Sequence, residues 1–211
     1  MARKTKEESQ KTRDAILDAA EQVFLARGVA LTTMGDIADA AGVSRGAVYG
    51  HYDNKVEVCL AMVERAMQQD HFDELPLADS PLAALEQAAL YYLQLYCQPG
   101  SLQRVGEILY FKCERNAENR PLLRWRQLID RTSMRLSRRL LRQAIARGEL
   151  PDTLDLRLAN LYLHAAFDGV YSTLKWAYEE GAPDALADSQ RMIRATLSSL
   201  GTAPSLLCGG L

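Results

Sequence analysis

Apolar residues recur at three- and four-residue intervals through almost all of this 211-residue chain, and no run alternates with the two-residue period of a half-buried strand. That periodicity leaves an all-α architecture. Glycine and proline mark the joints: Gly28, Gly42, Pro76, Pro81, Pro99-Gly100, Gly148 to Pro151, and Gly181 to Pro183. The spacing predicts a first helix over about 8–27, where Ile16, Leu17, Ala20, Val23 and Phe24 form one stripe and Gly28 suits a left-handed C-cap. A second helix begins at Thr33, whose pairing with Asp36 resembles a capping box with Asp in place of Glu; it turns Ile37, Ala38 and Ala41 inward and ends at Gly42. A third is capped by Ser44 and runs to about Tyr52, and a fourth covers about 55–72. Later helices are expected over about 82–97, 102–115, 121–147, 156–178 and 185–200, with 201–211 a loosely held tail.

Composition narrows the class. At 48% hydrophobic and 25% charged residues the chain is an ordinary globular protein and not a disordered one. No apolar stretch reaches the roughly 18 residues of a membrane span, and the start, MARKTKEESQKTRD, is basic and polar with no apolar core of a secretory signal. A cytoplasmic protein without membrane contact is the expectation. Cys59, Cys97, Cys113 and Cys208 form no CxxC or Cys/His cluster, so they read as small buried apolar residues. His51, His71 and His164 are scattered, and no nucleophile–base pair, metal cluster or phosphate-binding glycine loop appears. The expectation is a protein that is not an enzyme and has no catalytic residues, metal or cofactor.

The net charge of −2 hides an uneven distribution. Residues 1–13 carry five Lys/Arg and two acids, a local +3, and residues 104–147 carry twelve and four, a local +8. Only the surface that faces phosphates must be positive, so DNA binding is compatible with this total. The arginines from Arg120 to Arg147 are expected to fall on several faces, as on a solvated helix surface with some ion pairs.

The second and third helices have helix-turn-helix proportions around Ala41-Gly42-Val43-Ser44. Gly42 permits a reversal with positive φ, Val43 plugs the core, and Ser44 starts the next helix. The third helix is a poor helix on its own, because Gly46 and Gly50 each cost about 1 kcal/mol relative to Ala in a helix interior. Packing through Val48 must hold it. Arg45 lies in its first turn, where a guanidinium can bond bidentately to guanine, and Ser44, Gly46 and Ala47 lie beside it, with Ala47 placed to touch a thymine methyl.

The segment from Thr32 through Met34-Gly-Asp-Ile-Ala-Asp-Ala-Ala-Gly-Val-Ser-Arg-Gly-Ala-Val-Tyr-Gly-His-Tyr-Asp-Asn-Lys55 resembles the DNA-binding signature of the TetR family of transcription repressors, and the likeness extends over about 11–63. The resemblance implies a three-helix DNA-binding head over 8–55 and a helical-bundle C-terminal domain over 56–211 that dimerises and senses a ligand. It also implies phosphate contacts at Tyr49, His51 and Lys55, and at Thr33, whose hydroxyl and helix N-terminus suit an anion. The basic N-terminal arm can add contacts. Simpler readings stand beside these: Tyr49 as a core aromatic, His51 as a surface or capping residue, Lys55 as a helix-start charge, Arg45 as a solvated arginine. Gly50 departs from relatives that often carry Trp.

Further segments, the opening Met-Ala-Arg-Lys-Thr-Lys-Glu-Glu, Glu107-Ile-Leu-Tyr-Phe-Lys-Cys-Glu114 and Ala166-Phe-Asp-Gly-Val170, are similar to the AcrR-like subgroup of multidrug efflux pump repressors, and within it to MexZ- and AmrR-like repressors of aminoglycoside-exporting pumps. This implies a homodimer bound to near-palindromic double-stranded DNA and released by a small-molecule inducer or an antirepressor protein. Control of lipid or other metabolic genes is the alternative. The last two long helices would form the dimer interface through Leu158, Leu161, Tyr162, Ala165, Ala166 and Gly169, and through Leu186, Met192, Ile193, Leu197 and Leu200. Gly106, Tyr110, Phe167 and Asp168 match ligand-pocket positions, and Tyr171 joins them by helical spacing, as do Tyr92, Tyr96 and Phe111. The plainer reading makes the aromatics core. Asp168, on an apolar helix face, needs a partner: an arginine of the basic helix or a cationic ligand.

Overall fold

The computed structural model describes residues 6–68, 77–177 and 183–207. Among these the regular structure is helical: α1 (Lys6–Arg27), α2 (Met34–Ala40), α3 (Arg45–Tyr49), α4 (Lys55–Met67), α5 (Pro81–Cys97), α6 (Ser101–Phe111), α7 (Arg120–Ala146), α8 (Leu156–Ala177) and α9 (Pro183–Ser199). The chain forms two compact units, Met1–Asp70 with Pro99–Leu128, and His71–Gln98 with Ile129–Leu211.

In the first unit, Ile16, Leu17, Ala20 and Phe24 of α1 meet Ile37 and Ala38 of α2, Val48 of α3, Cys59, Met62 and Val63 of α4, and Val105 and Ile108 of α6. The three helices of the expected head thus share one core with α4 and α6, which lie beyond residue 55 in sequence. Local signals read from the sequence recur here. Thr33 and Asp36 form the reciprocal capping box, and Ser44 and Asn54 cap α3 and α4. Gly28 and Gly42 take φ values of +79° and +65°. Cys59 is completely buried, which pushes its thiol pKa far up, and Cys113 is half-buried. The side chain of Cys97, and Cys208, Pro76 and His71, lie outside the described residues.

A buried carboxylate ties this unit together. Glu21 retains 1% of its side-chain exposure, yet sits on the apolar stripe of α1. Arg65 of α4 reaches Glu21 Oε1 at 2.7 Å, Arg104 of α6 reaches Oε2 at 2.7 Å, and the Ser101 hydroxyl donates to Oε1 at 2.5 Å. Burial pushes the Glu21 carboxyl up, but the bonds from Ser101, Arg65 and Arg104 outweigh it and leave the pKa below the ordinary value. Arg65 also pairs with Asp18 at 2.8 Å.

Helix α6 stops at Phe111 and not near Arg115, because the next residues bond the loop after α1. Lys112 O accepts from Val29 N at 3.0 Å, and Glu114 Oε2 accepts from Ala30 N at 3.0 Å. Buried backbone donors have to be met, and here they are met by a chain that leaves the helical path.

The second unit packs α5, α8 and α9 with the later part of α7 around Leu85, Leu93, Leu141, Ala144, Val170, Leu174, Ile193 and Leu197. The start of the supposedly loose tail belongs to this core. Pro204–Leu206 is a 3-10 turn, Leu206 is buried, and its carbonyl accepts from Asp155 N at 2.9 Å. Residues 208–211 lie outside the described residues.

Replacing Glu21 by Gln removes the charge that Arg65 and Arg104 share; because Arg65 keeps Asp18 and Arg104 is 36% exposed, a loss of about 2–3 kcal/mol is expected in chemical denaturation at pH 7. The folded carboxyl is the stronger acid. Its contribution is therefore complete above the unfolded value of about 4.3 and is lost as the pH falls through the folded value. The gap between the two proteins should narrow in acid.

Candidate nucleic-acid interface

Helix α3 has only five residues, too few to persist alone. It is fixed at three points. Gly42 reverses the chain, with Val43 N bonding Ala38 O at 3.0 Å. The Ser44 hydroxyl accepts from Ala47 N at 3.1 Å. Val48 is completely buried. The same packing turns Ser44, Arg45, Gly46 and Tyr49 to solvent, with Ala47 and His51 half-buried beside them. Tyr49 keeps 55% of its exposure, so the reading of it as a core aromatic is corrected: it is Tyr52, three residues on, that joins Phe24 in the core, and its hydroxyl accepts from Arg13 Nε at 3.2 Å.

Arg45 lies across Gly35 of α2. A Cβ built on Gly35 would stand 2.8 Å from Arg45 Nη2 and 3.0 Å from Cζ, so the missing side chain is what lets the guanidinium rest there. The sequence reading passed over Gly35. A glycine inside a seven-residue helix, with its cost of about 1 kcal/mol, was the available signal.

Two of the expected phosphate contacts are already engaged. The Thr33 hydroxyl donates to Asp36 Oδ2 at 2.7 Å and accepts from Asp36 N at 3.1 Å, while Arg27 approaches Asp36 Oδ1 at 2.6 Å. The bonds from the Thr33 hydroxyl and N–H, with Arg27 alongside, hold the Asp36 carboxyl below its ordinary pKa. A phosphate at Thr33 would therefore meet a fixed carboxylate. Lys55 is 13% exposed; its Nζ donates to Ala30 O at 2.9 Å and lies 3.5 Å from Glu118.

The expected ligand contacts fall in both units. Gly106 is buried on α6, and Tyr110, one turn on, is half-buried with the Arg126 guanidinium 5.4 Å from its ring centre. On α8, Phe167 packs against the core of the second unit, and Tyr171 is buried. Asp168 is exposed and has no ion pair with an arginine of α7 among the described residues. The titratable groups that act on it are His164 and Asp130. Partial desolvation raises the Asp168 pKa against the pull of His164, and Asp130 adds to the rise. His164 is lowered by desolvation, and its Nε2 lies 2.9 Å from the Ser137 hydroxyl, which donates to Asn160 Oδ1 at 2.7 Å. Among the described residues no group of His, Cys, Asp or Glu is placed to hold a metal, and no helix is long and apolar enough to cross a membrane.

A capped, outward-facing helix after a glycine turn, set on a core shared by α1, α2, α4 and α6, defines a helix-turn-helix protein. Residues 16–62 match the model of bacterial regulatory proteins of the TetR family, and residues 80–201 match the C-terminal region of MAATS-type transcriptional repressors. The chain belongs to the TetR family of transcriptional repressors. It is similar to the crystal structure of MexZ, a key repressor responsible for antibiotic resistance in Pseudomonas aeruginosa, with 53% identity and a TM-score of 0.84 over 95% of this chain and 100% of that one. NalD, the secondary repressor of the MexAB-OprM multidrug efflux pump of the same organism, is 30% identical with a TM-score of 0.78, covering 94% and 100%. The complex of SmeT with triclosan is 31% identical with a TM-score of 0.73, covering 95% and 96%. SmeT is the repressor of the Stenotrophomonas maltophilia multidrug efflux pump SmeDEF.

Lys55→Met removes a charged donor from Ala30 O and from Glu118. A loss of about 1–2 kcal/mol in urea unfolding is expected. Unchanged stability would show that the tether contributes nothing.

Proposed function

We propose that the chain works as a homodimer that binds near-palindromic double-stranded DNA and represses an adjacent multidrug efflux operon of the resistance-nodulation-division class. A small-molecule inducer or an antirepressor protein releases it. The reading assigns it a cytoplasmic place and no catalytic step. The observation that carries the DNA role is the α3 face, on which Arg45, Gly46 and Tyr49 face solvent while Val48 is buried between them.

In this reading Arg45 bonds a guanine edge, with Ser44, Gly46 and Ala47 making the close approach, and Tyr49 and His51 hold phosphates. Thr33 and Lys55 join them only by giving up the partners they now have. Gly35 sets where the Arg45 guanidinium rests. A second copy supplies the other α3, so that two such helices about 34–36 Å apart enter successive major grooves. Leu161 on α8 and Met192 on α9 support the dimer. They are 43% and 47% exposed in the single chain, with Ala165 and Gly169 exposed beside Leu161.

Efflux control is supported by the likeness to MexZ, NalD and SmeT, and an inducer by the triclosan complex of SmeT. Phe167, Asp168 and Tyr171 are the α8 residues proposed to meet such a molecule. It lowers DNA affinity only as far as it prefers a non-binding arrangement of the dimer.

A band-shift titration with the DNA upstream of the chain's own gene tests the reading. A discrete, competitor-resistant complex is expected, and its absence would contradict the proposal. Arg45→Ala should lose about 1–3 kcal/mol of operator affinity and relax specificity at one base position, with the dimer intact. Gly35→Ala should displace Arg45 and weaken operator binding without loss of folding stability; wild-type affinity in either variant counts against the role assigned to Arg45.

A further inference from the structure

We propose that Glu118, on the loop between α6 and α7, sets the affinity for DNA by occupying the Lys55 ammonium in place of a phosphate. This assignment rests on the reading of Lys55 as a phosphate contact. Glu118 Oε1 lies 3.5 Å from Lys55 Nζ. The glutamate stands beyond the expected head in sequence but in the same compact unit. Its loop is fixed at both ends. At the start, Lys112 O accepts from Val29 N and Glu114 Oε2 accepts from Ala30 N, both at 3.0 Å. At the end stands Asn119, completely buried, whose N donates to Asn116 Oδ1 at 2.7 Å and whose Nδ2 donates to Glu114 O at 3.0 Å. Glu118 is the neighbour of that anchor, so its backbone has little freedom. The segment that Lys112 and Glu114 hold is also the one whose Ala30 O takes the Lys55 ammonium at 2.9 Å. One set of contacts therefore brings the lysine and the glutamate together.

The two side chains differ in freedom. Lys55 keeps 13% of its exposure and Glu118 keeps 55%. The lysine is held, while the glutamate can turn out into water. An ion pair with one exposed partner is weak, worth a factor of about two to five in an equilibrium. A phosphate can displace it, but DNA binding then bears two costs: the lost pair, and a carboxylate left beside the phosphate. The displaced carboxylate also takes up a cation. That uptake cancels about one of the ions that DNA releases on each subunit. Glu118 thus keeps DNA affinity and its salt dependence below what Lys55 alone would give. Because a phosphate contact carries no sequence information, the effect falls equally on operator and random DNA.

The test is a double-mutant cycle on the full chain, read by fluorescence anisotropy with two labelled duplexes. One carries the DNA upstream of the chain's own gene and the other has random sequence. At about 150 mM salt, where charges more than about 8 Å apart are largely screened, Glu118→Gln should tighten both duplexes by about two- to fivefold per subunit. Between about 50 and 200 mM salt it should steepen the slope of log affinity against log salt by about one per subunit. A merely structural role would not move that slope. Lys55→Gln, which keeps a hydrogen-bond donor and drops the charge, should weaken both duplexes. Glu118→Gln added to Lys55→Gln should then have almost no effect, because its gain acts through the lysine. Thermal unfolding of each variant confirms that folded proteins are being compared. An equal gain in the Lys55→Gln background overturns the proposal, since Glu118 would then be one more surface charge. So does a gain without a steeper slope. If the duplexes bind and Glu118→Gln changes nothing, this assignment fails and the repressor reading stands. If neither duplex binds, the repressor reading fails and this assignment falls with it.

Discussion

Everything functional in the first unit depends on the burial of one side chain, Val48. A five-residue helix with a glycine inside it has no stability of its own, and it stays helical because Val48 is locked into the core formed by α1, α2 and α4. Complete burial of a valine contributes about 1.5–3 kcal/mol, enough to offset the cost of Gly46. Helical geometry then does the rest: with Val48 inward, Arg45 and Tyr49 have to face away.

The surface thus presented is more selective than its charge suggests. Several polar groups around it are committed to the fold. Thr33 closes the cap of α2, Asp36 holds Arg27, and Lys55 secures the Ala30 carbonyl. What remains exposed beside Arg45 is the small-residue start of α3 and the Tyr49 ring. Behind it, the buried carboxylate of Glu21 joins α1, α4 and α6 through three charged or hydroxyl donors. The unit that carries the α3 face therefore has an ion-paired centre and an apolar one.

The helices were legible because their signals are local. Apolar period, caps at Ser44 and Thr33, and the left-handed glycines at 28 and 42 each act within one turn, and they recur where the sequence places them. Contacts between distant segments were not. In sequence Glu21 is one more helix glutamate, and only its place on the stripe of Leu17, Ala20 and Phe24 marks it as buried. The end of α6 depended on the needs of a loop some 80 residues earlier. Leu206 is tied down by a backbone bond from Asp155 N that no pattern in the tail announces. Around α3, exposure followed from helical phase, but the prior engagement of Lys55 required knowing where Ala30 and Glu118 come to lie.

The most direct measurement is amide hydrogen exchange of the full chain, alone, with a duplex that carries its upstream palindrome, and with a scrambled duplex of equal length. The account predicts that residues 44–52 gain protection with the palindromic duplex and far less with the scrambled one. Equal protection by both, or exchange in that segment unchanged by DNA, would contradict it.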